Sequence, residues 1–268
     1  MAPSATGRAA AFFDLDKTLM AGSSGMHFAR VASRHGIVSR RQLLRWGRDH
    51  LRYRLRGASD EETREVLKVA RELITGVPAV EIDRMGAEVM ASILPRIYPR
   101  MLDELYAHQD AGRATFIVSA AGNDLVAALA QVVGADAGIG TRYQVDGQGR
   151  FTGRLDGPFV YAEGKVEAMR RFAEQHGIDM DESYAYSDSA SDLPMLRAVG
   201  RPVAVNPDPE LARVAEEQGW EVLRFEKLGR RLAIAGTTLA AAAVGGIASW
   251  LTARRAPRRR FGVVHRSR

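Results

Sequence analysis

Apolar runs of strand length alternate with segments of helical periodicity along most of this chain. Residues 9–13 (Ala-Ala-Ala-Phe-Phe), 115–118 (Thr-Phe-Ile-Val), 184–186 (Tyr-Ala-Tyr), 202–205 (Pro-Val-Ala-Val) and 220–225 read as strands. Leu125, Ala128, Leu129 and Val132 recur at helical spacing from about Asn123 until Gly134 stops the pattern, and Val166, Met169, Phe172 and Ala173 do the same over 164–176. Asp208-Pro209 is a helix start, with Asp as N-cap and Pro at the first helical position. Strand and helix alternating in this way predict an α/β fold with a doubly wound parallel sheet.

Between the first and second core strands the period changes. Helical spacing dominates over 26–35, 41–56, 60–75 and 80–94, punctuated by Gly36, Gly57 and Gly76-Val-Pro78. The expected organisation is a core of residues 1–20 and 98–226, a helical cap of 21–97 inserted into it, and a tail of 227–268. Asp146-Gly-Gln-Gly149, between Tyr143, Val145 and Phe151, reads as the turn of a β-hairpin that makes a small flap.

Charge divides the chain differently. The net charge of +6 over 268 residues hides a tail with ten Lys/Arg and no acid from Lys227 onward, which leaves the preceding 226 residues at −4. Nucleic-acid binding by the body is therefore not expected. Within the tail, residues 232–251 are 20 uncharged positions ending near Trp250, flanked by Lys227, Arg230 and Arg231 and by Arg254, Arg255 and Arg258. That length and those flanks predict a tail helix associated with a membrane, lying on an anionic surface in preference to spanning it. There are no cysteines, which excludes disulfides, thiolate metal sites and cysteine nucleophiles. No long apolar segment precedes the first strand, so no secretory signal is expected and the catalytic body is placed in the cytoplasm. Oligomeric state is not legible.

The candidate chemistry sits at element ends. Asp14-Leu-Asp16-Lys-Thr18 closes the first strand, Ser119 ends the second, Lys165 opens a helix, and Asp188 and Asp192 follow the strand at 184–186. In open α/β sheets the reacting groups lie just past the carboxyl ends of the strands. Acids, a hydroxyl and a lysine gathered there suit phosphoryl transfer from a small phosphorylated substrate, whose two negative charges repel a carboxylate nucleophile until they are neutralised. Asp14 is the candidate nucleophile and Asp16 the acid that protonates the leaving oxygen and then activates water. Mg²⁺ is the expected cofactor, held by Asp14, Asp188 and the main-chain carbonyl of Asp16. Lys165 adds a second cation, and Ser119 a hydrogen bond to phosphate oxygen. A receiver domain would be about half this length and lacks the Asp-x-Asp spacing; a metal-dependent glycosyltransferase would not need the downstream Ser, Lys and acid pair.

In that order and spacing, Asp14-x-Asp16-x-Thr18, Ser119, Lys165 and Asp188-x-x-x-Asp192 resemble the four motifs of the haloacid dehalogenase-like phosphohydrolases over about residues 8–225. The long gap from Asp16 to Ser119 resembles the phosphoserine phosphatase-like subfamily, as do Phe151-Thr-Gly-Arg154, Gly157-Pro158 and Glu163-Gly-Lys165. The resemblance implies a phosphate cradle of Ser119, Lys165 and Thr18, metal ligation by Asp14, Asp16 and Asp188, and a supporting role for Asp192. Three departures concern substrate: Ser23 where phosphoserine phosphatases carry Glu, Ala120-Ala121 where they carry Gly-Gly, and Ser187-Asp-Ser-Ala-Ser-Asp192 in place of Gly-Asp-Gly-x-Asn-Asp. The substrates left open are phosphoserine, another small phosphomonoester and a phosphorylated lipid headgroup; a non-catalytic membrane-associated protein on the same fold is the alternative from another class.

Overall fold

The order of the central sheet follows from where its apolar strands fall in the chain. A computed structural model describes residues 8–39, 41 and 60–225. Six parallel strands run in the order β3-β2-β1-β6-β7-β8: β1 Ala10–Asp14, β2 Ala114–Gly122, β3 Ala137–Thr141, β6 Tyr184–Ser187, β7 Arg201–Val205 and β8 Glu221–Leu223. Every residue of β1 is buried, because helices cover both faces of the sheet. Successive side chains point to opposite faces. Phe12 packs with Phe116, Val118, Met169 and Met195, beneath α6 (Glu163–His176) and α7 (Leu193–Arg197). Phe13 stacks on Tyr186 on the other face, against His108 of α4 (Pro99–Asp110). Burying each of these phenylalanines contributes roughly 2–3 kcal/mol.

His108 is a buried imidazole in that second layer. Arg113 Nε donates to its Nδ1 at 2.7 Å, so its Nε2 carries the hydrogen donated to Tyr186 Oη, also at 2.7 Å. Burial, with the Arg113 charge beside it, pushes its pKa down to about 4 and keeps it neutral.

β3 is absent from the expected strands. Its sequence, Ala-Gly-Ile-Gly-Thr, has the look of a turn, yet both glycines are needed for packing. A Cβ on Gly138 would lie 2.5 Å from the main chain of Val126, and one on Gly140 2.6 Å from Asn123 Cα. Helix α5 (Asn123–Val133) therefore rests directly on this strand, and it ends at Gly134 in the left-handed conformation.

The inserted helices are α1 (Ser24–Arg34), α2 (Asp60–Ile74) and α3 (Ala79–Ile93), each within a residue or two of the periodicity that predicts it. The expected helix at 41–56 lies outside the described residues but for Arg41, and so does the tail of 227–268 with its apolar stretch 232–251. Among the described residues no helix is long and apolar enough to cross a membrane. The described residues through Leu223 form one compact unit.

The chain leaves and re-enters the core through one hinge. Ala21 N–H donates to Arg96 carbonyl at 2.8 Å and Tyr98 N–H to Leu19 carbonyl at 2.9 Å, so the outgoing and returning segments are tied together. A second tie comes from the predicted flap, β4 (Tyr143–Val145) and β5 (Phe151–Leu155). Gly76 N–H donates to Phe151 carbonyl, Phe151 N–H to Val77 carbonyl and Ala79 N–H to Gly149 carbonyl, at 2.8–3.0 Å.

Candidate active site

Asp14 is the last residue of β1, and Asp188 follows the last residue of β6. These strands are paired in parallel at the centre of the sheet, Phe13 opposite Tyr186. The order of connections reverses there, since β1 leads to β2 on one side and has β6 on the other. That is the switch point at which an open α/β sheet opens a crevice.

Lys165 converges on the same place from α6. Its helix begins at Glu163 tight against the preceding loop, so that a Cβ on Gly164, the second helical residue, would lie 1.8 Å from the Phe159 carbonyl and glycine is required there. Lys165 Nζ donates to Asp14 Oδ1 at 2.6 Å and to Asp192 Oδ2 at 2.7 Å. Ser187 Oγ donates to that same Asp192 oxygen at 2.7 Å. Asp14, Lys165, Asp188 and Asp192 are all buried, none exposed by more than 7%. Burial alone would lower the Lys165 pKa; the carboxylates of Asp14 and Asp192 overcome it and hold the ammonium charged. Burial pushes Asp14 up to about 8 against the pull of Lys165, with Asp192 and Asp188 adding to the rise. Asp188 is pushed up to about 6, also chiefly by burial. Lys165, between Asp14 and Asp192, and the partly exposed Lys17, 3.5 Å from Asp188, face three buried acids, so the cluster is short of positive charge.

Asp188 and Asp14 are the side chains able to hold a cation. Among the described residues no group of three acidic or imidazole side chains is placed to hold a metal ion together. A metal here would therefore complete its shell with main-chain oxygen and water, which suits a hard ion that keeps its waters. The side chain of Asp16 is committed elsewhere: its Oδ1 accepts the Ser24 N–H at 2.8 Å, at the first residue of α1. Ser119 is buried and adjoins Val118, the partner of Asp14 across β1 and β2. It does not end its strand, since β2 continues to Gly122 through a register shift beyond Val118. Its Oγ accepts the Ala121 N–H at 3.2 Å, which leaves the hydroxyl hydrogen for another acceptor. Thr18 is fully buried and its Oγ1 has no hydrogen-bond partner.

Three participants escape the sequence reading. Lys17 takes a left-handed backbone, φ 61°, and its Nζ lies 3.5 Å from Asp188 Oδ2. A cation inside an acidic motif was the available signal. Ser187 orients Asp192, as described. Asp208 caps α8 (Pro209–Gln218) through the Leu211 N–H, as expected, but its other oxygen accepts the Ala190 N–H at 2.9 Å and so pins the loop between Asp188 and Asp192.

A family model described as haloacid dehalogenase-like hydrolase matches residues 11–197, a span that takes in Asp14, Asp16, Ser119, Lys165, Asp188 and Asp192. The chain belongs to the haloacid dehalogenase-like hydrolases. It is an enzyme of this family, similar to its phosphatases. The phosphoserine phosphatase SerB1 of Mycobacterium tuberculosis is 36% identical over 258 residues, covering 93% of this chain and 82% of that protein. A histidinol-phosphatase of Neisseria meningitidis is 31% identical over 220 residues, 81% of this chain and 98% of that one. Among solved structures, a protein of unknown function from Bordetella pertussis superposes with a TM-score of 0.68 at 31% identity, covering 81% of this chain and 99% of its own.

Proposed function

We propose that this haloacid dehalogenase-like hydrolase is a Mg²⁺-dependent phosphomonoesterase working through an aspartyl phosphate on Asp14. The observation that carries the reading is the convergence of Lys165 on Asp14 and Asp192 beside Asp188, at the carboxyl ends of the two central strands. Asp14, Asp188 and the main-chain carbonyl of Asp16 would hold Mg²⁺, which when bound neutralises phosphate charge and keeps both carboxylates ionised.

Asp14 Oδ1 is occupied by Lys165, so its other oxygen is the one that attacks phosphorus. The new bond joins that oxygen to phosphorus as the bond from phosphorus to the alcohol oxygen breaks, and Asp16 gives the departing oxygen its proton. Water then attacks the same phosphorus, Asp16 takes back a proton, and the Asp14 carboxylate leaves. Lys165 and the Ser119 hydroxyl stabilise the charge on the phosphoryl oxygens throughout.

The substrate is a small phosphomonoester. Similarity to SerB1 supports a phosphoserine phosphatase-like enzyme, while Ser23 at the start of the cap and a similar protein named for histidinol phosphate argue that the leaving group is read by this chain's own cap. Phosphate release from p-nitrophenyl phosphate tests the mechanism: it should require Mg²⁺ and fall by at least about 1,000-fold in Asp14→Asn. Equal turnover in that variant would overturn the nucleophile assignment.

A further inference from the structure

The leaving group of the reaction must lie next to Asp16, and the groups around Asp16 have a definite character. Asp16 is held by the Ser24 N–H, so the first turn of α1 faces it. His27 is on that turn, and its N–H donates to the Ser23 carbonyl at 3.2 Å. The imidazole is anchored on its far side. Ser92 Oγ donates its hydrogen to the Val89 carbonyl at 2.7 Å, so it must accept from His27 Nδ1–H at 3.1 Å, which leaves Nε2 for another partner. Burial lowers the His27 pKa, and the charges that act on it are Arg30, Arg96 and, in the opposite sense, Asp16. His27 is thereby neutral, and the positive charge of this corner belongs to the two guanidiniums.

Both arginines are placed by the fold. Arg30 lies one helical step beyond His27 on the same face of α1. Arg96 stands in the hinge, where its carbonyl accepts the Ala21 N–H. Arg34, one turn after Arg30, is taken up by Glu88 at 2.7 Å; Arg30 and Arg96 are exposed and, among the described residues, in no ion pair. Two exposed guanidiniums whose charges reach His27, on the helix whose first residue binds Asp16 and in the hinge beside it, would attract a leaving group bearing its own negative charge and repel one bearing an ammonium.

We propose that Arg30, Arg96 and His27 form the leaving-group subsite, and that it selects phosphomonoesters whose alcohol carries a second anionic group, a carboxylate or a second phosphate. This rests on the phosphomonoesterase reading. Arg30 and Arg96 supply the charge that selects, and His27 Nε2 accepts a hydrogen bond from a donor on the same leaving group.

Three substrates with small two-carbon leaving groups that carry a negative, no or a positive charge test it: phosphoglycolate, ethyl phosphate and phosphoethanolamine. The wild-type enzyme with Mg²⁺ should show kcat/KM falling in that order, with at least about a 10-fold span that narrows as salt is raised. Charge reversal in Arg30→Glu/Arg96→Glu should invert the order, and Arg30→Lys/Arg96→Lys should retain it. A wild-type enzyme that handles phosphoethanolamine as well as phosphoglycolate overturns the proposal, as does an order that survives charge reversal. The wild-type order decides the matter even where a variant fails to fold. Turnover of p-nitrophenyl phosphate with no preference among the three would overturn this inference alone; no turnover of any of the four would overturn the phosphomonoesterase reading and this with it. A fifth assay, with a bisphosphorylated glycol, separates a carboxylate specificity from a general preference for anions.

Discussion

Asp16 accepts the main-chain N–H of Ser24 at 2.8 Å, across eight residues of chain, and this bond joins the motif after β1 to the first residue of α1. That N–H is one of the unpaired donors at the start of α1, where the helix end favours a negative charge. Ser24→Pro removes it while keeping a residue that suits the first helical position, and the extended Ser23 before it (φ −127°, ψ 122°) already has the backbone that precedes proline. We expect kcat to fall about 10-fold, the worth of one hydrogen bond to a charged group, with little loss of thermal stability. Ser24→Ala keeps the N–H and is the control. Steady-state kinetics beside thermal melts check this; unaltered kcat in Ser24→Pro would mean that Asp16 does not depend on the cap.

The acid cluster makes stability depend on pH in a direction that can be worked out. Asp14, at about 8, and Asp188, at about 6, both lie above the ordinary aspartate value of 3.8. The folded state therefore holds protons that the unfolded chain has lost. Its stability is highest below pH 4 on this account and declines as pH rises through 6 to 8. His108, at about 4, works the other way and loses stability as pH falls from 6.5 toward 4. In a chelator, the melting temperature should drop by about 4 °C or more between pH 6 and pH 8, the effect of ~1–2 kcal/mol in a chain of this size. Mg²⁺ should raise it, and by more at pH 8 than at pH 6, since at the lower pH the ion competes with the Asp14 proton. Asp14→Asn should flatten the alkaline decline. Scanning fluorimetry across pH, with and without Mg²⁺, distinguishes these outcomes from a pH-independent melt.

Gly153 holds the flap against the cap. Its φ is +74°, and a Cβ there would fall 2.2 Å from Thr75 Oγ1, a hydroxyl that donates to the Arg71 carbonyl at 2.7 Å. Gly153→Ala should destabilise by about 1–3 kcal/mol, part from the left-handed backbone and part from the displaced Thr75. Adding Thr75→Ala should recover the second part only. A double-mutant cycle by chemical denaturation measures the coupling; strict additivity would show that the two residues do not meet in solution.

β1, β2, β6 and β7 were legible because they are largely buried apolar runs, and α1, α2 and α3 because their periodicity is unbroken. β3 was not, since Gly138 and Gly140 are dictated by the main chain of a neighbouring helix, and nothing within five residues of sequence carries that information. Ser119 was found as a residue but misplaced at a strand end, because the register shift beyond Val118 is a property of the pairing of β2 with β3. Lys17 and Ser187 were adjacent to motif residues and still unread; what makes them participants is a side-chain path across 171 residues in one case and a five-residue turn in the other.

Residue types and their order were enough to establish the reaction class, because phosphoryl transfer demands acids, a hydroxyl and a lysine at the ends of successive elements and few other chemistries do. Only the tertiary structure decided how they divide the work. It gave one Asp14 oxygen to Lys165 and turned Asp16 toward Ser24 at the start of α1. The first depends on a contact across 151 residues and the second on how the chain turns over eight, and a linear pattern contains neither geometry.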